Sequence, residues 1–263
     1  MNGFRQARGK YITFLDDDDY YTDYEFFEKA VKILEEHETD EVPIVMVCAN
    51  AKLVDTQTGK ADLWDIGAPG RVKGLDYVLG RGHRKPPSIF PAVFRADVLR
   101  QAGLENKIIF DTMTYIEAAL DDDAWFMPSI IGVYRVQPYS TERGYKTTTP
   151  EQEMRHYRLF GENIRRWKHA AEIIQSRTDK HTAEKLYIST MLGLIGYCTI
   201  ARPGIKDELK TCMYVLKDSG FMPKLWLAVV RNFIRSSLRR ITPLRKLYRF
   251  IKYKILRRPY PKS

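Results

Sequence analysis

Up to about residue 143, short apolar runs alternate with stretches of helical periodicity, and from Thr147 onward only the helical pattern continues. Such alternation places strands in a sheet with helices on its faces, so the first part reads as an α/β sandwich and the rest as a helical region. Residues 11–15 (YITFL) read as a short buried strand. Thr22 or Asp23 stands where it would cap a helix running to about His37, with Phe26, Phe27, Ala30, Val31 and Leu34 on one face. Residues 43–49 (PIVMVCA) read as a buried strand, Thr58-Gly59-Lys60 as a hairpin turn and 63–66 as the returning strand. Helices over 72–79, 96–102 (closing on Gly103) and 112–120, with strands over 88–94, 108–110 and 124–136, complete this part. Beyond it the pattern predicts helices over 150–175, 180–201 and 205–219. Two more follow in the tail, separated by Thr242-Pro243. The chain thus divides into residues 1–143, a helical region over 144–220 and a basic amphipathic tail over 221–263.

Composition narrows the functional classes. The 3 cysteines form no CxxC pair and the 5 histidines are scattered, which argues against a disulfide framework or a zinc site and for a reducing compartment. The opening MNGFRQARGKY has no apolar signal region, and the longest apolar stretch, 187–201, is shorter than the roughly 20 residues of a spanning helix. Net charge is +10, yet residues 221–263 hold 13 of the Lys and Arg and no Asp or Glu, so the remainder is slightly acidic.

The strand at 11–15 stops on four consecutive aspartates, Asp16 to Asp19. In an open α/β sheet ligands bind beyond the carboxyl ends of strands, and carboxylates grouped there suit a hard cation that holds a diphosphate. An acidic solvated loop is the other reading of the same residues. An EF-hand does not fit, because the mid-loop glycine and terminal glutamate are absent. Asp111 opens a helical pattern, where it serves either as an N-cap or as a base. Arg135, at a strand end, is either a phosphate or acceptor contact or a surface ion-pair partner. Asp121-Asp122-Asp123 reads as a solvated turn. His83-Arg84-Lys85-Pro86-Pro87 reads as a mobile acceptor loop or a basic connection.

The stretch NGFRQARGKYITFLDDDDYY resembles family 2 glycosyltransferases of the GT-A fold, where a helix, a glycine and a short strand lead into an aspartate-x-aspartate signature. Downstream, SIFPAVFRADVL resembles that family's acceptor-side strand and following helix. Ile109-Phe110-Asp111 stands where it has an acidic base motif, and GVYRV resembles its closing strand. The likeness covers about residues 1–143 and implies a partial GT-A sandwich followed by the helical region. It implies Asp18 as a direct metal ligand, Asp16 on the ribose or in the metal shell, and Asp17 in the variable middle place beside the nucleotide. Asp19 matches the acidic residue that often follows, and Asp111 the general base. Gln137 departs from the histidine the family often has there.

The implied activity is a metal-assisted inverting displacement. A sugar moves from a nucleotide-sugar donor, with Mn²⁺ or Mg²⁺, to a glycan or lipid-linked acceptor in cell-surface polysaccharide synthesis. The family's first nucleotide-binding strands would precede Lys10. The chain is therefore expected to lack part of that pocket, to expose a sheet edge, and to be poorly soluble or inactive alone.

In the tail, Trp226, Val230, Phe233 and Ile234 fall on one helical face, followed by Leu238 and Ile241. Leu244, Leu247, Tyr248, Ile251 and Ile255 form a second stripe. Arginines recur four apart at 231, 235 and 239 and at 245 and 249. An anionic membrane surface at the cytoplasmic face is the expected partner. Nucleic-acid binding and packing onto the α/β part are the competing readings. A non-catalytic remnant or scaffold at the membrane is the alternative to an enzyme.

Overall fold

The computed structural model describes residues 3–86, 88–104, 111–136, 150–201, 204–220 and 222–240. These residues belong to two compact units, one of residues 1–144 with 166–183, the other of residues 145–165 with 184–263.

Two long parallel strands, β3 (Ile44–Asp55) and β7 (Asp123–Val136), form the spine of a seven-stranded sheet in the first unit. On the outer edge of β3, β6 (Ala92–Arg95) pairs with Met46–Cys48 and β4 (Ala61–Trp64) with Ala51–Val54. On the outer edge of β7, β5 (Gly70–Val72) pairs with Ala124–Phe126 and β2 (Tyr20–Tyr21) with Gly132–Val133. β1 (Tyr11–Ile12) lies outside β6, and all these flanking pairs are antiparallel.

β3 is buried from Ile44 to Ala51, as its unbroken apolar run requires of a strand covered on both faces. Helix α1 (Glu25–Glu36) covers one face, setting Phe26, Ala30 and Leu34 against Val47, Ala49, Ala51 and Val93. Register places Met46 beside Phe94 and Cys48 beside Phe126, so these side chains point to the opposite face. There Tyr77 of α2 (Gly74–Val78) meets Phe126, and Tyr115 of α4 (Asp111–Ala118) meets Phe94, with ring centroids 5.5 and 5.3 Å apart. A further short helix, α3 (Ala96–Gln101), follows β6, and the chain leaves it through Gly103 at a positive φ of 70°. This mixed α/β architecture is consistent with a GT-A-like sandwich.

Several expectations shift. The predicted strand at 11–15 has ladder pairing only at Tyr11 and Ile12, and Leu15 is 50% exposed. The ladder ends because the Thr13 hydroxyl, not its backbone, donates to the Ala92 carbonyl at 2.8 Å. Thr22 and Asp23 do not cap α1. Their N–H groups donate to the Ile131 carbonyl at 2.8 and 3.2 Å, extending the hold of β2 on β7, and Tyr24 takes the cap position without a side-chain bond. Asp123 is not part of a solvated turn. Its buried carboxylate accepts Arg71 Nε at 2.8 Å and the Gly74 N–H at 3.0 Å, tying β5 and α2 to β7. Gly74 is required there, since a Cβ would stand 1.9 Å from the Asp122 carbonyl oxygen. The 83–86 segment is anchored. Arg84 lies 4.0 Å over the Trp64 ring, the Trp64 indole donates to the Lys85 carbonyl, and half-buried Lys85 donates to the Tyr77 and Val78 carbonyls. Burial lowers the Lys85 amine to about 8.

The helical remainder comprises α5 (Pro150–Arg177), α6 (Lys180–Ala201), α7 (Ile205–Ser219) and α8 (Pro223–Arg240). In the second unit the Tyr187 hydroxyl donates to Ser219 at 2.8 Å, Lys224 pairs with Glu184, and α7 packs on α8 with Ser236 donating to Glu208 at 3.0 Å. No helix among the described residues is long and apolar enough to cross a membrane. The strand expected at 108–110, Gln137 and the second tail helix lie outside the described residues.

Candidate functional site

The acidic segment is a closed loop between β1 and β2. At its entrance the Thr13 hydroxyl, its own proton given to Ala92, accepts from the Tyr21 hydroxyl at 2.9 Å, and the Phe14 carbonyl 3.0 Å away shares that Tyr21 proton. At its apex the Asp19 N–H donates to the Asp16 carbonyl at 3.2 Å. Tyr21 thereby staples the two ends together, and its ring packs edge-on against Phe27 with centroids 4.7 Å apart. The return strand fits closely on β7 because position 132 is glycine. A Cβ there would stand 2.4 Å from the Tyr20 carbonyl oxygen.

Four adjacent aspartates thus acquire different environments. Asp16 and Asp17 are exposed, Asp18 is half-buried and Asp19 is buried. The Ser88 hydroxyl donates to Asp16 Oδ2 at 3.3 Å. Asp19 turns inward, where Oδ1 accepts the Arg135 N–H at 3.0 Å and Oδ2 is buried without a hydrogen-bond partner. Burial pushes the Asp19 carboxyl up to about 6 against the Arg135 N–H bond, which favours the charged form, and Asp18 and Asp16 add repulsion. The Arg135 guanidinium donates through Nε to the Asp18 carbonyl. The positive group beside the turn therefore also fixes the turn's backbone.

Asp111 is placed through a second route. It opens α4 and lies four residues before Tyr115, whose hydroxyl feels its charge. That buried hydroxyl donates to the Ser88 and Ile89 carbonyls, both at 3.1 Å. Ser88 therefore links the Asp16 carboxylate on one side to α4 on the other. The far end of α4 is braced by α5. Arg166 donates to both Glu117 oxygens (Nε at 2.9 Å), and Arg177 reaches the Leu120 carbonyl and Asp121.

The sequence reading did not assign Ser88, Tyr115 or the Thr13–Tyr21 staple. Ser88 is a polar side chain 1% exposed in an otherwise apolar run, the one local sign of a dedicated partner.

The donor set is chemically suited to a hard cation, being all carboxylate oxygen on one turn. Among the described residues no three His, Cys, Asp or Glu side chains converge as a complete protein cage. A cation on this turn would take one or two carboxylates, Asp18 and Asp16, and complete its shell with phosphate oxygens and water, the usual Mg²⁺ arrangement. The Asp19 Oδ2, buried without a hydrogen-bond partner, is not exposed to such a cation.

Protonation of Asp19 has a measurable consequence in the metal-free protein. Because the folded state raises this carboxyl, its protonated form stabilises the fold fully below the ordinary carboxylate range. That contribution is lost as pH rises through about 6. Asp19→Asn keeps an acceptor for the Arg135 N–H and removes the titration. Its Tm is expected to match wild type near pH 4 and to exceed it by about 2–5 °C near pH 8, read by thermal melts with chelator present.

Residues 1–81 match the family model described as Glycosyl transferase family 2. The matched span holds the whole acidic turn, β1 to β5 and α1, whereas Asp111 and Arg135 lie beyond it. No curated protein matches the chain. The family match supports a glycosyltransferase-type enzyme in general, a class that uses nucleotide-sugar donors and often divalent cations.

Proposed function

We propose, on the premise that residues 1–81 are a family 2 glycosyltransferase segment, that the chain transfers a sugar from a nucleotide-sugar donor to a glycan or lipid-linked acceptor. The setting is cell-surface polysaccharide synthesis, and the reaction is a single inverting displacement. The observation that carries this reading is the stapled turn at 16–19, which leaves Asp16 exposed and Asp18 half-buried while Asp19 and Arg135 fix its backbone. Asp18, with Asp16, would hold a divalent cation and through it the donor diphosphate, and Asp17 lies beside the nucleotide. A bound cation supplies charge neutralisation for the departing nucleoside diphosphate. Arg135, bonded to the turn's backbone, adds positive potential beside it.

Asp111 is the base in this reading. It takes the proton from the acceptor hydroxyl as that oxygen attacks the anomeric carbon. Tyr115 and Ser88 connect base and turn in series, since Tyr115 of α4 donates to the Ser88 carbonyl and the Ser88 hydroxyl donates to Asp16. A 1 Å misplacement of such groups is enough to cost about 10²-fold.

Release of nucleoside diphosphate from a panel of nucleotide sugars, with Mn²⁺ and a glycan acceptor mixture, tests the reading. Against the expectation of a chain inactive alone, turnover is expected with at least one donor, falling about 10²-fold or more in Asp18→Ala. Turnover that survives Asp18→Ala unchanged would remove the metal role. A folded protein inert with every donor would favour a non-catalytic scaffold.

A further inference from the structure

Helices α7 and α8 each turn a row of apolar side chains outward, in addition to the apolar residues they bury (Cys212, Val215 and Leu216 on α7, Leu225 and Val229 on α8). On α7, Ile205, Leu209 and Met213 stand four apart on the exposed side, with Met213 63% exposed. Glu208, Thr211 and Ser219 are buried on the other side. On α8, Leu225 and Val229 face inward, and Trp226, Leu227, Val230 and Ile234 form an exposed stripe in which Leu227 is 71% exposed. The predicted Trp226–Ile234 face is therefore not a packing face. The core contact of α8 is made by a different pair of residues. An exposed stripe with bulky aliphatics and a tryptophan at helical spacing is expensive in water and marks a surface that meets another phase or partner.

Charge identifies the occupant. Lys206, Lys210 and Lys217 lie along the outward side of α7, and Arg231 and Arg235 border the stripe of α8. Residues 221–263 as a whole carry 13 Lys or Arg and no acidic residue. A protein partner would ordinarily be met by mixed charges. A duplex nucleic acid would be met by cations, not by a central row of Leu, Val, Ile and Trp. Apolar side chains flanked by cations of one sign match a bilayer interface, where acyl chains take the stripe and anionic head groups take the cations.

We infer that the outward faces of α7 and α8 dock on an anionic lipid bilayer, lying in the interface without crossing it. The inference stands apart from glycosyl transfer, since none of its residues belongs to the acidic turn or to α4.

The test is vesicle flotation of the full chain with phosphatidylcholine vesicles containing about 30 mol% phosphatidylglycerol, and with phosphatidylcholine alone. Wild type is expected to float with the anionic vesicles, to stay down with the neutral ones, and to lose most binding in about 0.5 M salt. Leu227→Glu/Ile234→Glu is expected to cut anionic binding about tenfold or more, with the helical circular dichroism and elution volume of wild type. Trp226 emission is expected to shift blue on anionic vesicles, and Trp226→Phe to remove that shift. Flotation equal in wild type and the double variant would overturn the inference, as would equal binding to neutral vesicles. A lipid-free dimer lost in the double variant would assign the face to a second copy. Tighter binding to duplex DNA than to anionic vesicles would assign it to nucleic acid. Either result would also overturn the inference.

Discussion

Asp111→Asn is expected to lower glycosyl transfer by about 10²–10⁴-fold while leaving the Tm within about 2 °C of wild type. The substitution separates two roles that one aspartate at a helix start can play. An asparagine caps a helix about as well as an aspartate does, so the local geometry of α4 persists. What it cannot do is accept a proton from an acceptor hydroxyl. Asp111→Ala, in contrast, removes both roles and is expected to cost about 0.5–2 kcal/mol of stability in addition. If Asp111→Asn transfers sugar at the wild-type rate, the residue is a cap and the base must be sought elsewhere. The initial rate at saturating donor, with Tm measured on the same preparation, distinguishes these outcomes.

The second large effect concerns the brace behind the site. Arg166→Ala is expected to destabilise the first unit by about 3–5 kcal/mol, read by urea unfolding. Arg166 and Glu117 side chains are 7% and 9% exposed, and the guanidinium donates to both carboxylate oxygens. Removing the arginine leaves the Glu117 carboxylate of α4 buried without this counter-charge. Replacing both partners together, Glu117→Leu/Arg166→Leu, is expected to recover most of the loss, because the desolvation cost disappears with the pair. The single variant should also depress turnover beyond what unfolding explains, since Glu117 and Asp111 share α4. Equal destabilisation by the single and double variants would show that packing, not charge pairing, holds the helix.

Much of the fold was legible because its strongest signals are local. The unbroken run at 43–49 announces a strand covered on both faces. Thr58-Gly59-Lys60 announces its hairpin, with Gly59 at a positive φ of 69°. Helices α6 (Lys180–Ala201) and α7 (Ile205–Ser219) begin and end at the expected residues. What escaped was set by tertiary partners. β2 and β5 have two and three residues, too few for any period to show. Thr22 and Asp23 have the chemistry of caps, but their N–H groups bond the Ile131 carbonyl in continuation of β2, and α1 opens only after Tyr24.

The candidate site divides in the same way. A run of four aspartates shows where a cation could bind, but identical side chains carry no sign of which one turns inward. The fold decides that by aligning the Arg135 N–H with Asp19. The tail's periodicity likewise revealed an apolar stripe without showing that Leu225 and Val229, not Trp226, take the buried side. Ser88 and Tyr115 connect the turn to α4 across 72 and 27 residues of chain, separations at which pattern reading has no purchase.

The central claim is that residues 16–19 form the cation and diphosphate site of a glycosyltransferase. Titration calorimetry of UDP into the full chain, with Mn²⁺ and then with excess chelator, tests it most directly. The account predicts saturable binding that requires Mn²⁺ and vanishes in Asp18→Ala while the melting curve is unchanged. UDP binding that persists in chelator or in Asp18→Ala, or no heat from UDP with Mn²⁺ and wild-type protein, would contradict it.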